Sequence, residues 1–183
     1  KQPFWYNGRE ERAEFTAEVF HEYLGSSVLD VGCWKRDLEN KIAKNTEYIG
    51  VDIAGDPDMH IDLEKNRLDR FDKNQFETVT CLDVLEHIDN IHEVFDDLCR
   101  VASNYAIISL PNNYMMRDVK KSLLTGQTVT RKFYGLPSEK PKDRHKWFFN
   151  YQQAEQFVYN RAKENDATVV EQVDYPEDVP FTK

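Results

Sequence analysis

The sequence predicts an α/β domain: a doubly wound, mostly parallel sheet of six or seven strands with helices on both faces. Two observations carry this. Short apolar runs recur at residues 27–32, 47–53, 59–63, 76–82, 105–110 and 167–173, and segments with apolar residues at helical spacing separate several of them. Strands that alternate with helices of about 10 to 15 residues pair in parallel through right-handed crossovers, which covers the sheet on both sides.

The elements follow in order. Phe15, Val19, Phe20, Tyr23 and Leu24 fall at helical spacing and predict a leading helix closed by Gly25. Residues 27–32 read as a buried strand, 36–44 as a helix, 47–53 (EYIGVDI) as a second strand and 59–63 as a short third. The run 76–82 (FETVTCL) is a fourth strand, followed by the apolar stripe Ile88, Ile91, Val94, Phe95, Leu98 and Val101, for which Asp89 is the expected N-cap. A fifth strand at 105–110 is stopped by Pro111. Tyr151, Ala154, Phe157, Val158 and Ala162 form a last helical face, with Asn150 as cap and Gln153 in the capping-box position. Residues 167–173 close with a strand.

Bulk properties narrow the function classes. At 183 residues the chain suits one domain spanning 1–183 with its own core. Its apolar runs are too short to span a bilayer, so no membrane role is expected. Cys33, Cys81 and Cys99 are an odd, widely spaced set without a CxxC pair, which argues against a disulfide framework or a zinc site and for a reducing, cytoplasmic setting. No metal is expected. A net charge of −9 opposes non-specific attraction to nucleic acid.

Ligands of such a sheet bind beyond the carboxyl ends of the strands, where strand order reverses. Those ends carry Asp30-Val31-Gly32-Cys33, Asp52, Asp62, Asp83 and Pro111-Asn112. Asp52, Asp62 and Asp83 thus lie at successive edges of one cleft beside Asp30, and Gly32 permits a sharp turn with close ligand approach. A carboxylate accepts two hydroxyl protons at once, which suits the ribose of a nucleoside cofactor. Dinucleotides also want such an acid, but a pyrophosphate needs a glycine-rich turn and the chain has no GxGxxG.

At these residues the chain resembles the class I S-adenosylmethionine-dependent methyltransferases, and more narrowly their type-11 and type-23 groups. VLDVGC is similar to the first motif, YIGVDI to the second, CLDVLEHI to the stretch after the fourth strand, and HKWFFNYQQAEQFV to a late His-aromatic-helix segment. The resemblance runs from about residue 27 to 158 and implies a Rossmann-like methyltransferase fold that uses S-adenosylmethionine and releases S-adenosylhomocysteine. It implies that Asp52, with Ile53 beside it, binds the ribose, that Asp62 and Leu63 meet the adenine edge, and that Asp30, Gly32 and Cys33 line the methionine part. Asp83 is then expected near the methionine amine or the acceptor. The chain departs from the family at Trp34 and Arg36, where glycines are usual; this excludes the closest backbone approach and favours, as the rival reading, a degenerate or non-catalytic cofactor-binding domain. A nicotinamide-dependent oxidoreductase is the second rival, disfavoured by the missing pyrophosphate turn.

The stretch 117–146 holds nine Lys and Arg against three acids, a net of +6, which leaves −15 for the rest of the chain. With Gly126, Gly135 and Pro137 it suits a basic lid within an insertion at about 114–149, covering a small-molecule or glycan-like acceptor of anionic character. Arg144 and Lys146 are the expected anion contacts. His145, and after it His87, is the expected general base, since imidazole titrates near neutrality.

Overall fold

A computed structural model of the chain describes residues 8–111, 123–125, 138–139 and 144–173. Five strands, β1 (Ser27–Val31), β2 (Glu47–Asp52), β3 (Met59–His60), β4 (Phe76–Leu82) and β5 (Ala102–Ser109), form one sheet in the order β3-β2-β1-β4-β5. Every pairing is parallel. The chain therefore winds outward one way from β1 and returns to its other side at β4, so the reversal lies between β1 and β4. All strand carboxyl ends share one edge, and Asp30 in β1 sits in register between Gly50 of β2 and Thr80 of β4.

The longer helices among the described residues are α1 (Arg9–Val19), α2 (Ile91–Val101) and α3 (Tyr151–Glu164). The predicted stripe of α2 is the core: Ile91, Val94, Phe95, Leu98 and Val101 are all buried against Leu29, Val31, Val79 and Cys81 of the sheet. At about 25 cal/mol per Å² of apolar surface, each such side chain contributes about 1.5 to 3 kcal/mol to folding. α3 begins as predicted, with the Asn150 side chain accepting from the Gln153 N–H and Gln153 reaching back to the Asn150 N–H.

Four expectations are corrected. Residues 36–44 form successive turns, because Arg36 is left-handed (φ +62°), which a right-handed helix cannot continue through, and its N–H closes a turn on the Cys33 carbonyl. The third strand stops at His60, where the chain turns on Asp62: its carbonyl accepts from the N–H groups of Lys65 and Asn66. The N-cap of α2 is Asn90 rather than Asp89; the Asn90 amide donates to the Leu63 carbonyl, and Asp89 pairs with Lys146. Residues 167–173 join no ladder among the described residues. They meet α3 through side chains instead, Gln172 donating to the Tyr151 hydroxyl. No helix among the described residues is long and apolar enough to cross a membrane.

Candidate functional site

The turn after β1 answers the question raised by Trp34 and Arg36. Gly32 takes φ +82°, and a Cβ there would collide with Val84. Trp34 (φ +50°) and Arg36 (φ +62°) hold the left-handed backbone that glycine adopts freely, at a cost of about 1 to 2 kcal/mol each. Local contacts offset that cost. The Trp34 N–H donates to Asp52 (2.9 Å), its carbonyl accepts from Asp56 (2.7 Å), and the Arg9 guanidinium lies 4.6 Å over its ring. Arg36 grips Glu39 with two hydrogen bonds and Asp58 with a third. The glycine-like turn persists without its glycines.

Asp30 lies under this turn, 4% exposed. One carboxylate oxygen accepts from the Tyr48 hydroxyl (2.7 Å), the other from Thr80 (2.8 Å). Burial pushes its pKa up, opposed by those two hydrogen bonds. Cys33, buried beside it, has its thiol pushed up to about 12 by burial and the neighbouring acids, so it stays protonated and inert. Asp52 stands at the end of β2 with each oxygen already held by one backbone N–H, of Trp34 and of Ala54 (2.9 Å each). Its remaining lone pairs are aimed but unused by these bonds. Ile53 follows with its side chain 66% exposed.

Asp62 bonds the Glu64 N–H and the Lys65 ammonium, and the lysine holds its pKa below the usual range. Leu63 packs into the hydrophobic core. Asp83, left-handed at the end of β4 (φ +53°), accepts from Arg12 of α1 and from the Ser109 hydroxyl, both at 2.6 Å. Backbone strain at a strand end facing a cleft is a common mark of a functional position.

Two cavities flank Arg12. One of about 20 Å³ is bounded by Arg9, Arg12, Asp30, Gly32, Cys33 and Trp34. The other, about 230 Å³, is lined by Ser109, Leu110, Pro111, Asn150 and Tyr151. Arg12 and Leu82 border both, so these two side chains stand between them.

Beyond Asp83, a single 3-10 turn (Leu85–His87) brings Glu86 and His87 against the returning segment 144–147. The Glu86 carbonyl accepts from the N–H groups of Lys146 (2.7 Å) and Trp147 (3.2 Å), which docks His145 beside His87, ring centroids 4.7 Å apart. Glu86 is 1% exposed, and burial pushes its pKa up. Arg144 offers its carbonyl to His87 Nδ1 (3.2 Å), while Lys146 is committed to ion pairs with Glu64 and Asp89. The rest of the basic stretch, 117–122, 126–137 and 140–143 with Gly126, Gly135 and Pro137, lies outside the described residues, as does Asn112.

Sequence reasoning missed Arg9, Arg12, Tyr48 and Glu86. Arg9 and Arg12 stand three apart in GREER, one face of a helix leading toward an acidic cleft, and that spacing was the available signal. Tyr48 is legible only once β1 and β2 are in register.

A family model described as a methyltransferase domain matches residues 4–172. No curated protein matches the sequence. Among solved structures, a SAM-dependent methyltransferase from Archaeoglobus fulgidus aligns with TM-score 0.55 at 18% identity, covering 85% of this chain and 70% of that one. Magnesium protoporphyrin IX methyltransferase from Synechocystis PCC 6803, with bound SAH, aligns at 0.54 and 17% with the same coverage. The N-terminal domain of EvdMO1, in the presence of SAH and D-fucose, aligns at 0.52 and 12%, covering 87% and 79%. The sheet with its central reversal, the glycine-like turn beneath Trp34 and the match across 4–172 together place this chain in the methyltransferase domain family, with the Rossmann-like fold of SAM-dependent methyltransferases.

Proposed function

We propose that the chain transfers a methyl group from S-adenosylmethionine to an oxygen, nitrogen or carbon of a small or glycan-like, anionic acceptor. The observation that carries this is Asp52. Its carboxylate is fixed by two backbone N–H groups at the carboxyl end of β2, with lone pairs left for a pair of ribose hydroxyls. The surrounding residues fit the remainder of the cofactor. Asp30, Gly32 and Cys33 border one space, and Asp83, joined to its rim through Arg12, is an acidic group that favours a cationic, amine-bearing ligand. Asp62, two residues beyond β3, is the proposed contact of the adenine edge, with Leu63 behind it in the core.

When bound, that cofactor supplies an electrophilic methyl on a positively charged sulfur. The protein's part is then to orient, exclude water and handle one proton. Ligand pockets commonly measure about 300 to 1,000 Å³, and the space at Asp30 is only about 20 Å³. In the proposed binding mode Arg9 and Arg12 swing off this part of the site, which joins the two cavities that Arg12 borders. Arg12, released from Asp83, becomes available to a carboxylate, and Asp83 to an amine. Arg144 is the proposed anion contact, with Lys146 a weaker one because two acids hold it. His145 and His87 are the groups proposed to take the acceptor's proton.

Incubation with S-adenosylmethionine and a panel of sugars and sugar phosphates, D-fucose among them, tests this by release of S-adenosylhomocysteine. Acceptor-dependent release that slows in Asp52→Ala supports the reading. Cofactor binding with no release from any acceptor favours the non-catalytic rival, which the strained Trp34 turn keeps in view.

A further inference from the structure

We propose that Glu86, His87 and His145 form a binding site for one divalent transition cation of the zinc, cobalt or manganese type. One carboxylate oxygen and two ring nitrogens of these residues lie within 4.8 Å of one another. His87 Nε2 is 3.4 Å and His145 Nε2 is 3.8 Å from Glu86 Oε1. Ligands of a tetrahedral site with bonds of about 2.1 Å stand about 3.4 Å apart, so small inward shifts complete the set. A second observation points to a cation here: Glu86 is 1% exposed, and its Oε2 is buried with no hydrogen-bond partner among the described residues. Such an oxygen is costly to bury unless something cationic meets it.

The surroundings fix the imidazole as a ligand. His87 Nδ1 lies 3.2 Å from the Arg144 carbonyl, an outer contact of the kind that orients a metal-binding imidazole, and its Nε2 faces Glu86 Oε1. His145 is held in place by the backbone bonds from Lys146 and Trp147 to the Glu86 carbonyl. Two imidazoles with one carboxylate suit a borderline cation better than magnesium or calcium, which prefer oxygen. Three protein ligands leave a position open for water or an acceptor oxygen.

The existence of the site does not depend on methyl transfer; its role does. An acceptor hydroxyl bound to the cation loses its proton to water. The oxygen then forms a bond to the methyl carbon, while the sulfur keeps the electron pair of the bond that breaks. The base assignment of His87 and His145 gives way to this role.

The test uses the whole chain, dialysed against EDTA and titrated calorimetrically with Zn²⁺, Co²⁺, Mn²⁺ and Mg²⁺ in turn, with visible absorption followed for Co²⁺. One equivalent per chain is expected, with Zn²⁺ and Co²⁺ bound at least about tenfold more tightly than Mg²⁺ and a Co²⁺ spectrum of nitrogen and oxygen ligation. His145→Ala, His87→Ala and Glu86→Gln are each expected to weaken binding by more than about tenfold. Should Glu86→Gln fail to fold, the two histidine variants decide. No saturable binding below about 1 mM, or binding unchanged in His145→Ala, overturns the site. S-adenosylhomocysteine titrated in parallel separates the two readings: metal binding without cofactor binding keeps the site and removes the methyltransferase reading, and the converse removes the site alone.

Discussion

Replacing Asp52 with alanine removes two sets of hydrogen bonds at once. One is proposed, to the ribose hydroxyls of the cofactor; the other is present in the fold, to the N–H groups of Trp34 and Ala54. Hydrogen bonds to a charged acceptor contribute about 1.5 to 3 kcal/mol each. Loss of a single ribose bond therefore weakens binding about 10- to 150-fold, and loss of both weakens it further. The structural loss is smaller, because Ala54 is exposed and its N–H can turn to water, while Trp34 is half-buried. A destabilisation of about 1 to 2 kcal/mol is expected, short of unfolding a domain of this size. Calorimetric titration of Asp52→Ala with S-adenosylhomocysteine, alongside urea denaturation, measures the two effects separately. Asp52→Asn retains one acceptor oxygen but turns an amide toward a backbone N–H, so it should fall between the parent and the alanine variant. An unchanged dissociation constant in a folded Asp52→Ala protein would refute the ribose assignment.

Trp34→Gly relieves the left-handed strain but loses the Arg9 contact, so stability should change by less than about 1 kcal/mol; binding of S-adenosylhomocysteine should be retained, and binding that appears only in the variant would mean that the indole closes the parent site. Asp30→Asn tests the buried carboxylate. Its folded pKa is raised above the unfolded value of about 3.9, so the folded state holds that proton more tightly and the parent loses stability as pH rises from there through the folded pKa. The urea midpoint of Asp30→Asn relative to the parent should accordingly climb as pH rises above about 3.9; a flat difference would show that Tyr48 and Thr80 fully compensate the buried charge.

The parts of the fold legible in the sequence were those set by periodicity. The stripe of α2 and the capping box of α3 are local patterns with one solution, and both form as written. Residues 36–44 were misread because helical spacing around Leu38 does not reveal that Arg36 is left-handed; ion pairs to Glu39 and Asp58, the latter 22 residues away, hold that conformation. Residues 167–173 have the composition of a strand, yet ladder formation depends on what docks beside β5, which composition does not encode. At the site, the acids at strand ends were visible because topology places them at one edge. The Arg12–Asp83 pair spans 71 residues, and the contacts of Glu86 with His145 span 59, so neither could be read from spacing.

The central claim is that the turn beneath Trp34 still receives a sulfonium nucleoside, and one calorimetric comparison addresses it directly. The unmodified chain is titrated with S-adenosylmethionine, S-adenosylhomocysteine and NAD under the same conditions. Saturable binding of both sulfur compounds at one equivalent per chain, with no heat from NAD, is the predicted result. Absence of binding by either sulfur compound at concentrations on the order of 1 mM, where a free energy of only about −4.1 kcal/mol would be seen, contradicts the account.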